Sequence, residues 1–188
     1  MNAIFLDRDG TIVKQKKGYL TSIKQIEVFT SAPKALQRLQ QAGYKLIIFT
    51  NQSCVARGLI TEKELVKINR HIRNLYLKKG VHFNKIYYCP HHPEGKITKY
   101  RKVCSCRKPA SGMLLTAKRE MGIDLKESFV IGDSMRDIEA GKKVGTRTIL
   151  VLTGYGKGTK SSLKTGQQRL IDYITPNLLT AAKWILNK

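Results

Sequence analysis

The stretch that decides the fold is residues 3–11, AIFLDRDGT. Ala3 to Leu6 is a short apolar run of the kind a strand buried on both faces carries, and the chain turns away at DRDGT. Two aspartates, Asp7 and Asp9, stand two apart where that strand should end. The arrangement recurs downstream. Tyr44 to Thr50 (YKLIIFT) is a second buried-type strand followed by Asn51, Gln52 and Ser53, and Ser128 to Ile131 (SFVI) is another, closed by Gly132-Asp133-Ser134. Lys85 to Tyr88 and Thr148 to Leu152 bring the expected strands to five.

Helical patterns lie between these strands. Ser31-Ala32-Pro33 reads as a helix start, with Leu36 and Leu39 as its apolar stripe and Gly43 as its end. Thr61 with Glu64 is a capping-box signature, and Leu65, Ile68, Ile72, Leu75 and Tyr76 keep a helical period to about Lys79. Further helices are expected over 113–121, 137–143 and 177–186, and residues 153–168, rich in Gly, Lys, Ser and Thr, read as a loop. Apolar strands alternating with amphipathic helices specify an α/β fold: an open parallel, Rossmann-like sheet with helices on both faces. Ligands of such sheets bind off the carboxyl ends of the strands, so DRDGT, TNQS and GDSMRD should meet at one edge.

The 188 residues fit one domain, 1–188, with an ordinary 41% hydrophobic and 26% charged residues. No apolar run approaches the ~20 residues that a membrane-spanning helix needs. MNAIFLDRDG lacks a basic segment followed by a long apolar one, so a cytoplasmic protein is expected. The net charge of +22 suits an anionic partner such as nucleic acid, a membrane surface or a phosphorylated small molecule. The Lys and Arg are spread along the whole chain, however, and a solvated basic surface accounts for the total equally well.

Three of the four cysteines fall in residues 89–106, CPHHPEGKITKYRKVCSC. Cys89, His91, Cys104 and Cys106 give C-x-H-x12-C-x-C, two close pairs of soft or borderline ligands that match a closed tetrahedral zinc site. His92 competes with His91 for that role. Disulfides are disfavoured in a reducing compartment. Cys54 stands apart, in the turn after the second strand.

Taken together, Asp7-x-Asp9-Gly10-Thr11, Thr50-Asn51, Arg107-Lys108-Pro109 and Gly132-Asp133 resemble the haloacid dehalogenase superfamily of phosphatases, in order over nearly the whole chain. The resemblance implies an aspartyl-phosphate mechanism, with Asp7 as nucleophile and Asp9 as general acid and base. It assigns Mg²⁺ to Asp7, the backbone carbonyl of Asp9, and Asp133. Thr50 and Asn51 would hold the phosphoryl group or position Asp7, Gln52 and Ser53 would bind substrate, and Lys108 would neutralise charge at the phosphate. Asp137 would support the metal or Lys108 from behind, although a first-turn carboxylate favoured by the helix dipole accounts for it as well.

CPHHPEG followed by CSCRKP is similar to the D,D-heptose 1,7-bisphosphate phosphatases, a pattern that picks the first histidine, His91, for zinc. Ala56-Arg57-Gly58 and Gly18-Tyr19-Leu20 fit the same group. Neither usual insertion point has room for a cap domain, and the zinc loop is expected to wall the pocket instead. The resemblance implies loss of the C7 phosphate from a seven-carbon sugar bisphosphate, in the making of ADP- or GDP-heptose precursors of lipopolysaccharide. Arg107 would meet the remaining C1 phosphate, with Lys14, Lys16 and Lys17 adding field. A monomer is expected.

Two departures bear on substrate. Ser134 stands where that group usually has a lysine, with Arg136 two residues on, and KQKKG (14–18) is more basic than in its relatives. The alternatives are a histidinol-phosphate or other sugar-phosphate phosphatase, and a polynucleotide 3′-phosphatase or other nucleic-acid binder. The charge leaves nucleic acid open, while the zinc segment and the lack of interleaved aromatic and basic residues weigh against it. A non-catalytic binding module would not need the full set of aspartates and lysine.

Overall fold

The computed structural model describes residues 1–15 and 17–188; Lys16 lies outside the described residues. Six parallel strands form one sheet: β1 (Ala3–Leu6), β2 (Lys45–Asn51), β3 (Lys85–Cys89), β4 (Phe129–Gly132), β5 (Arg147–Val151) and β6 (Tyr173–Thr175). Their order is β3-β2-β1-β4-β5-β6. From β1 the chain builds outward to β3, then returns to β1's other side and builds β4 to β6. The reversal leaves a crevice between the carboxyl ends of β1 and β4. Leu6 pairs with Ile131 there, and the Asp7 amide continues the ladder to the Ile131 carbonyl at 3.0 Å.

Alternation along the strands sends side chains to both faces. Ile4, Leu6, Leu46 and Ile48 pack with α1 (Ala32–Gln41), α2 (Glu62–Leu77) and α6 (Leu178–Leu186). Ala3, Phe5, Ile47 and Phe49 face α3 (Gly112–Met121) and α4 (Met135–Lys142). Each fully buried Leu, Ile or Phe contributes roughly 1.5–3 kcal/mol, so both layers are needed to hold the sheet. Thr61 and Glu64 cap α2 as the sequence indicates, with Glu64 N–H donating to Thr61 Oγ1 at 3.2 Å and Thr61 N–H to Glu64 Oε2 at 2.7 Å.

Two elements differ from expectation. The stretch read as a loop holds a short helix, α5 (Gly156–Ser161), and a sixth strand, β6, follows it. β6 is three residues long at the sheet edge, too short for a periodic signal. Between β1 and α1 the described residues form isolated bridges, Asp9 to Val13 and Val13 to Val28, and a single turn of 3₁₀ helix at Ile23–Gln25. Between β2 and β3 the only helix among the described residues is α2.

Candidate active site

The ends of β1, β2 and β4, together with residues 107–108, line a cleft of about 420 Å³. Lys108 lies at its floor, 3% exposed. Its ammonium donates to Asp7 Oδ1 at 2.8 Å and to the Phe49 carbonyl at 2.9 Å, and pairs with Asp137 Oδ1 at 2.5 Å. Asn51 fixes the Lys108 backbone from both sides: its Nδ2 donates to the Lys108 carbonyl and its Oδ1 accepts the Lys108 N–H, each at 3.0 Å. Ser134 caps α4 and holds the far oxygen of Asp137, which accepts from Ser134 Oγ at 2.6 Å and from its N–H at 3.1 Å. Ser134, Asp137, Lys108 and Asp7 are therefore one connected chain.

Asp133 faces Asp7 across the switch point, between two glycines in left-handed backbone. A Cβ on Gly10 (φ +87) would stand 2.0 Å from Asp133 Oδ2, and one on Gly154 (φ +54) 2.1 Å from the same atom. Any side chain at either position would displace this carboxylate. Oδ2 of Asp133 also accepts the Tyr155 N–H at 2.8 Å.

The carboxyl oxygens of Asp7, Asp133 and Asp137 lie within 4.8 Å of one another. Burial pushes Asp7 up to about 6; Lys108 opposes that, and the Asp137 and Asp9 carboxylates add to it. Asp133 is pushed up to about 8 by burial, then by Asp7 and Asp137. Burial pulls Lys108 down, but Asp137 and then Asp7 more than offset this and it remains a cation. Once all three carboxyls are ionised, they leave two negative charges against one ammonium, the deficit a divalent cation fills. Oxygen donors in a compact cluster suit Mg²⁺. Both oxygens of Asp137 are already engaged, so Asp7 and Asp133 are the carboxylates free to ligate.

Asp9 also borders the cleft, but its carboxylate is engaged by other partners. Its carboxylate accepts Arg8 Nη2 at 2.8 Å, Arg8 Nε at 3.1 Å and Gln52 Nε2 at 2.9 Å. Arg8 is wholly buried and also donates to Asn69 Oδ1 at 2.8 Å. Gln52, 3% exposed, shares the same nitrogen with Thr50 Oγ1 at 2.9 Å. Gln52 thus ties Thr50 to Asp9, while Ser53 Oγ reaches the Tyr19 hydroxyl at 3.4 Å.

At the far side, Cys89 at the end of β3 meets His91, Cys104 and Cys106. Sulfur separations are 3.1 Å (Cys89–Cys106), 3.2 Å (Cys104–Cys106) and 3.5 Å (Cys89–Cys104); His91 Nδ1 is 3.7 Å from Cys89 and 3.4 Å from Cys106. Tetrahedral zinc has edges of roughly 3.8 Å between sulfurs and 3.5 Å between sulfur and nitrogen, for bonds of ~2.3 Å to sulfur and ~2.0 Å to nitrogen. The His91 distances match such an ion, the sulfurs would have to spread by up to roughly 0.7 Å to seat it, and all four cysteines are free of disulfides. Hydrogen bonding within it draws the Cys106 thiol down to about 5, chiefly through Cys89, and pushes Cys89 up.

His92 goes the other way, into the cleft. Its Nδ1 accepts the Glu94 N–H at 3.1 Å, and Nε2 lies 3.5 Å from Arg57 Nη2. Burial, then Arg107 and Arg57, hold its pKa below the usual histidine value. Arg57 is placed by the zinc loop, which pairs with the preceding residue: the Ala56 carbonyl accepts Ile97 N–H at 2.9 Å, and Ala56 N–H donates to the Pro90 carbonyl at 3.2 Å. Arg107 donates to the His91 carbonyl at 3.1 Å.

A family model described as HAD-hydrolase-like matches residues 105–181. The D-glycero-beta-D-manno-heptose-1,7-bisphosphate 7-phosphatase of Escherichia coli (strain K12) is 37% identical over 185 residues, covering 98% of this chain and 88% of its own. The chain belongs to this heptose bisphosphate phosphatase family. Its namesake from Photorhabdus laumondii is 41% identical over 161 residues, 85% of either chain. A crystal structure of D,D-heptose 1,7-bisphosphate phosphatase from B. bronchiseptica, complexed with magnesium and phosphate, superposes with a TM-score of 0.86 at 30% identity, over 100% of this chain and 99% of that one. The superfamily and fold expected from the motifs are borne out.

Within this heptose phosphatase fold, Asp7, Asp9, Thr50, Asn51, Gln52, Ser53, Arg107, Lys108, Asp133 and Asp137 all border one cleft. Lys14 borders it too but is paired with Glu27, and Lys17 lines a neighbouring shallow hollow with Phe29. Sequence reasoning missed Arg8 and the cleft-facing role of His92. Arg8 had a signal, a charge set between two candidate site aspartates; for His92 the resemblance set it aside from the metal but gave no direction for its ring.

Proposed function

We propose that this chain is a Mg²⁺-dependent phosphatase that removes the C7 phosphate of D-glycero-D-manno-heptose 1,7-bisphosphate, as one domain and a monomer in the cytoplasm. The observation that carries this reading is a cleft with two chemically different ends. One end holds buried carboxylates around Lys108; the other holds Arg57 and Arg107, which have no carboxylate partner among the described residues. Burial lowers the Arg107 pKa, and Arg57 Nε is buried without a hydrogen-bond partner. Two anionic groups on one substrate suit such a pocket.

Asp7 attacks phosphorus and forms an aspartyl-phosphate as the sugar alkoxide leaves. Lys108 holds Asp7 in place and offsets charge gathering on the phosphoryl oxygens. Asp9 delivers a proton to the alkoxide, then takes one from the water that opens the aspartyl-phosphate. To do so its carboxyl must give up some of its bonds to Arg8 and Gln52, the two residues that define its resting position. Thr50 and Asn51 keep Asp9 and Lys108 in register. Mg²⁺, held by Asp7, the Asp9 carbonyl and Asp133, would neutralise the dianionic phosphate. Zn²⁺ on Cys89, His91, Cys104 and Cys106 would hold the loop that carries Arg107 and Lys108.

The test is Mg²⁺-dependent phosphate release from both anomers of heptose 1,7-bisphosphate, histidinol phosphate, fructose 1,6-bisphosphate and a 3′-phosphorylated oligonucleotide. Heptose bisphosphate should have the highest kcat/KM, and Asp7→Asn should abolish turnover while the circular dichroism spectrum is retained. Preference for another substrate overturns the assignment, and activity in Asp7→Asn overturns the nucleophile.

A further inference from the structure

Arg136 is an exposed residue in the first turn of α4, one residue before Asp137, and it borders the same cleft as Arg57, His92 and Arg107. Like those two arginines it has no carboxylate partner among the described residues. It is close enough to act electrostatically on both Arg107 and His92, disfavouring their charged forms. Three guanidinium groups from three separate segments therefore border the cleft, each near enough to His92 to act on its charge. Like charges so placed repel one another, and the cost persists until an anion arrives between them. Nothing in the catalytic chain employs Arg136: Ser134 and Asp137, on either side of it, already hold Lys108 without help.

We propose that Arg136 is a specificity-determining residue, the third guanidinium arm that grips the non-reacting phosphate of the substrate together with Arg57 and Arg107. The proposal rests on the two-ended cleft described above and names one further group that reads its far end. Two adjacent residues of α4 then divide the work. Asp137 looks inward and fixes the ammonium beside the nucleophile, while Arg136 looks outward and discriminates bisphosphates from monophosphates. A guanidinium suits this position because it offers two parallel N–H donors to a phosphate, which an ammonium does not.

The experiment compares kcat/KM for heptose 1,7-bisphosphate with that for p-nitrophenyl phosphate, in the wild type, Arg136→Gln and Arg136→Lys. In Arg136→Gln the bisphosphate-to-monophosphate ratio should fall about tenfold, largely through KM, the size expected for a charge-assisted hydrogen bond to phosphate. Arg136→Lys should recover part of that ratio. Equal losses on both substrates, or an unchanged ratio, overturn the role of Arg136. A wild type with no preference for the bisphosphate instead overturns the two-ended reading of the cleft, so the two failures are distinct. Thermal melting of both variants separates misfolding from lost recognition, and a ratio taken within one variant is unaffected by the fraction folded.

Discussion

At the scale of single residues, Asp7 and Asp133 sit in an environment that fits them poorly while they are charged and metal-free. Both hold protons more tightly in the folded chain, up to about 6 and about 8, than an ordinary aspartate at 3.8. A raised folded-state value means that their contribution to stability is full below about pH 4 and is lost as pH rises through 6 and then 8. A cation that takes only the ionised carboxylates restores what is lost, so its effect must grow over the same window. In thermal melts, Mg²⁺ should raise the Tm by on the order of 5 °C at pH 8 and scarcely at all at pH 5. The two carboxylates share one field and titrate as a pair, so the rise should spread over several pH units rather than follow one sharp step. A Mg²⁺ effect equal at both pH values would remove these carboxylates from the metal site.

At the scale of elements, the zinc loop does two jobs that share one anchor. Cys104 and Cys106 stand immediately before Arg107 and Lys108, so the same turn that closes the sulfur cluster presents a guanidinium to one end of the cleft and an ammonium to the other. Replacing Cys104 with Ser should therefore lower zinc content from about one per chain and reduce kcat/KM more than it reduces Mg²⁺ affinity, because Asp7 and Asp133 are carried by the sheet. Elemental analysis and kinetics on one preparation check this; full activity without zinc would detach the loop from catalysis. The contrast also explains what was legible in the sequence. β1, β2 and β4 were readable because burial on both faces demands unbroken apolar runs, and their polar ends marked the crevice. The three clustered cysteines were readable from spacing, while the choice of His91 over His92 came only from the family resemblance. The edge strand β6 and short α5 were not, since an edge needs little hydrophobicity and six residues barely exceed one helical turn. The direction of a side chain was not legible either: Asp9 turned onto buried Arg8, and His92 turned away from its neighbour's cluster, through packing between segments far apart in sequence.

At the scale of the whole molecule, 35 Lys and Arg face 13 Asp and Glu, and six ion pairs among the described residues engage only a few of those cations. α2 alone presents Lys63, Lys67, Arg70 and Arg73 to solvent. No described helix is long and apolar enough to cross a membrane. A field of this sign speeds the arrival of any anion, but at physiological salt it is screened beyond about 8 Å, so only cations at the cleft rim act strongly on a bound sugar phosphate. A nucleic acid would instead engage many phosphates together along the surface. It would also look for open aromatic planes; Tyr173 and Trp184 are stacked on each other at 4.8 Å, which leaves Tyr19 and Tyr155, exposed at the cleft, to serve in that way. Ionic strength separates the two cases. Between 50 and 200 mM salt, kcat/KM for heptose bisphosphate should fall only severalfold, since a small sugar with two phosphates carries no condensed counterion layer and is subject to screening alone. Single-stranded oligonucleotide binding through Z contacts would fall with a log–log slope of about −0.7Z, hence by orders of magnitude for six or more contacts. Phosphate release from a 3′-phosphorylated oligonucleotide, with that steep slope and at a rate rivalling the sugar, would make the basic surface a substrate site. Absence of that release together with a shallow slope for the sugar leaves the charge to steering alone.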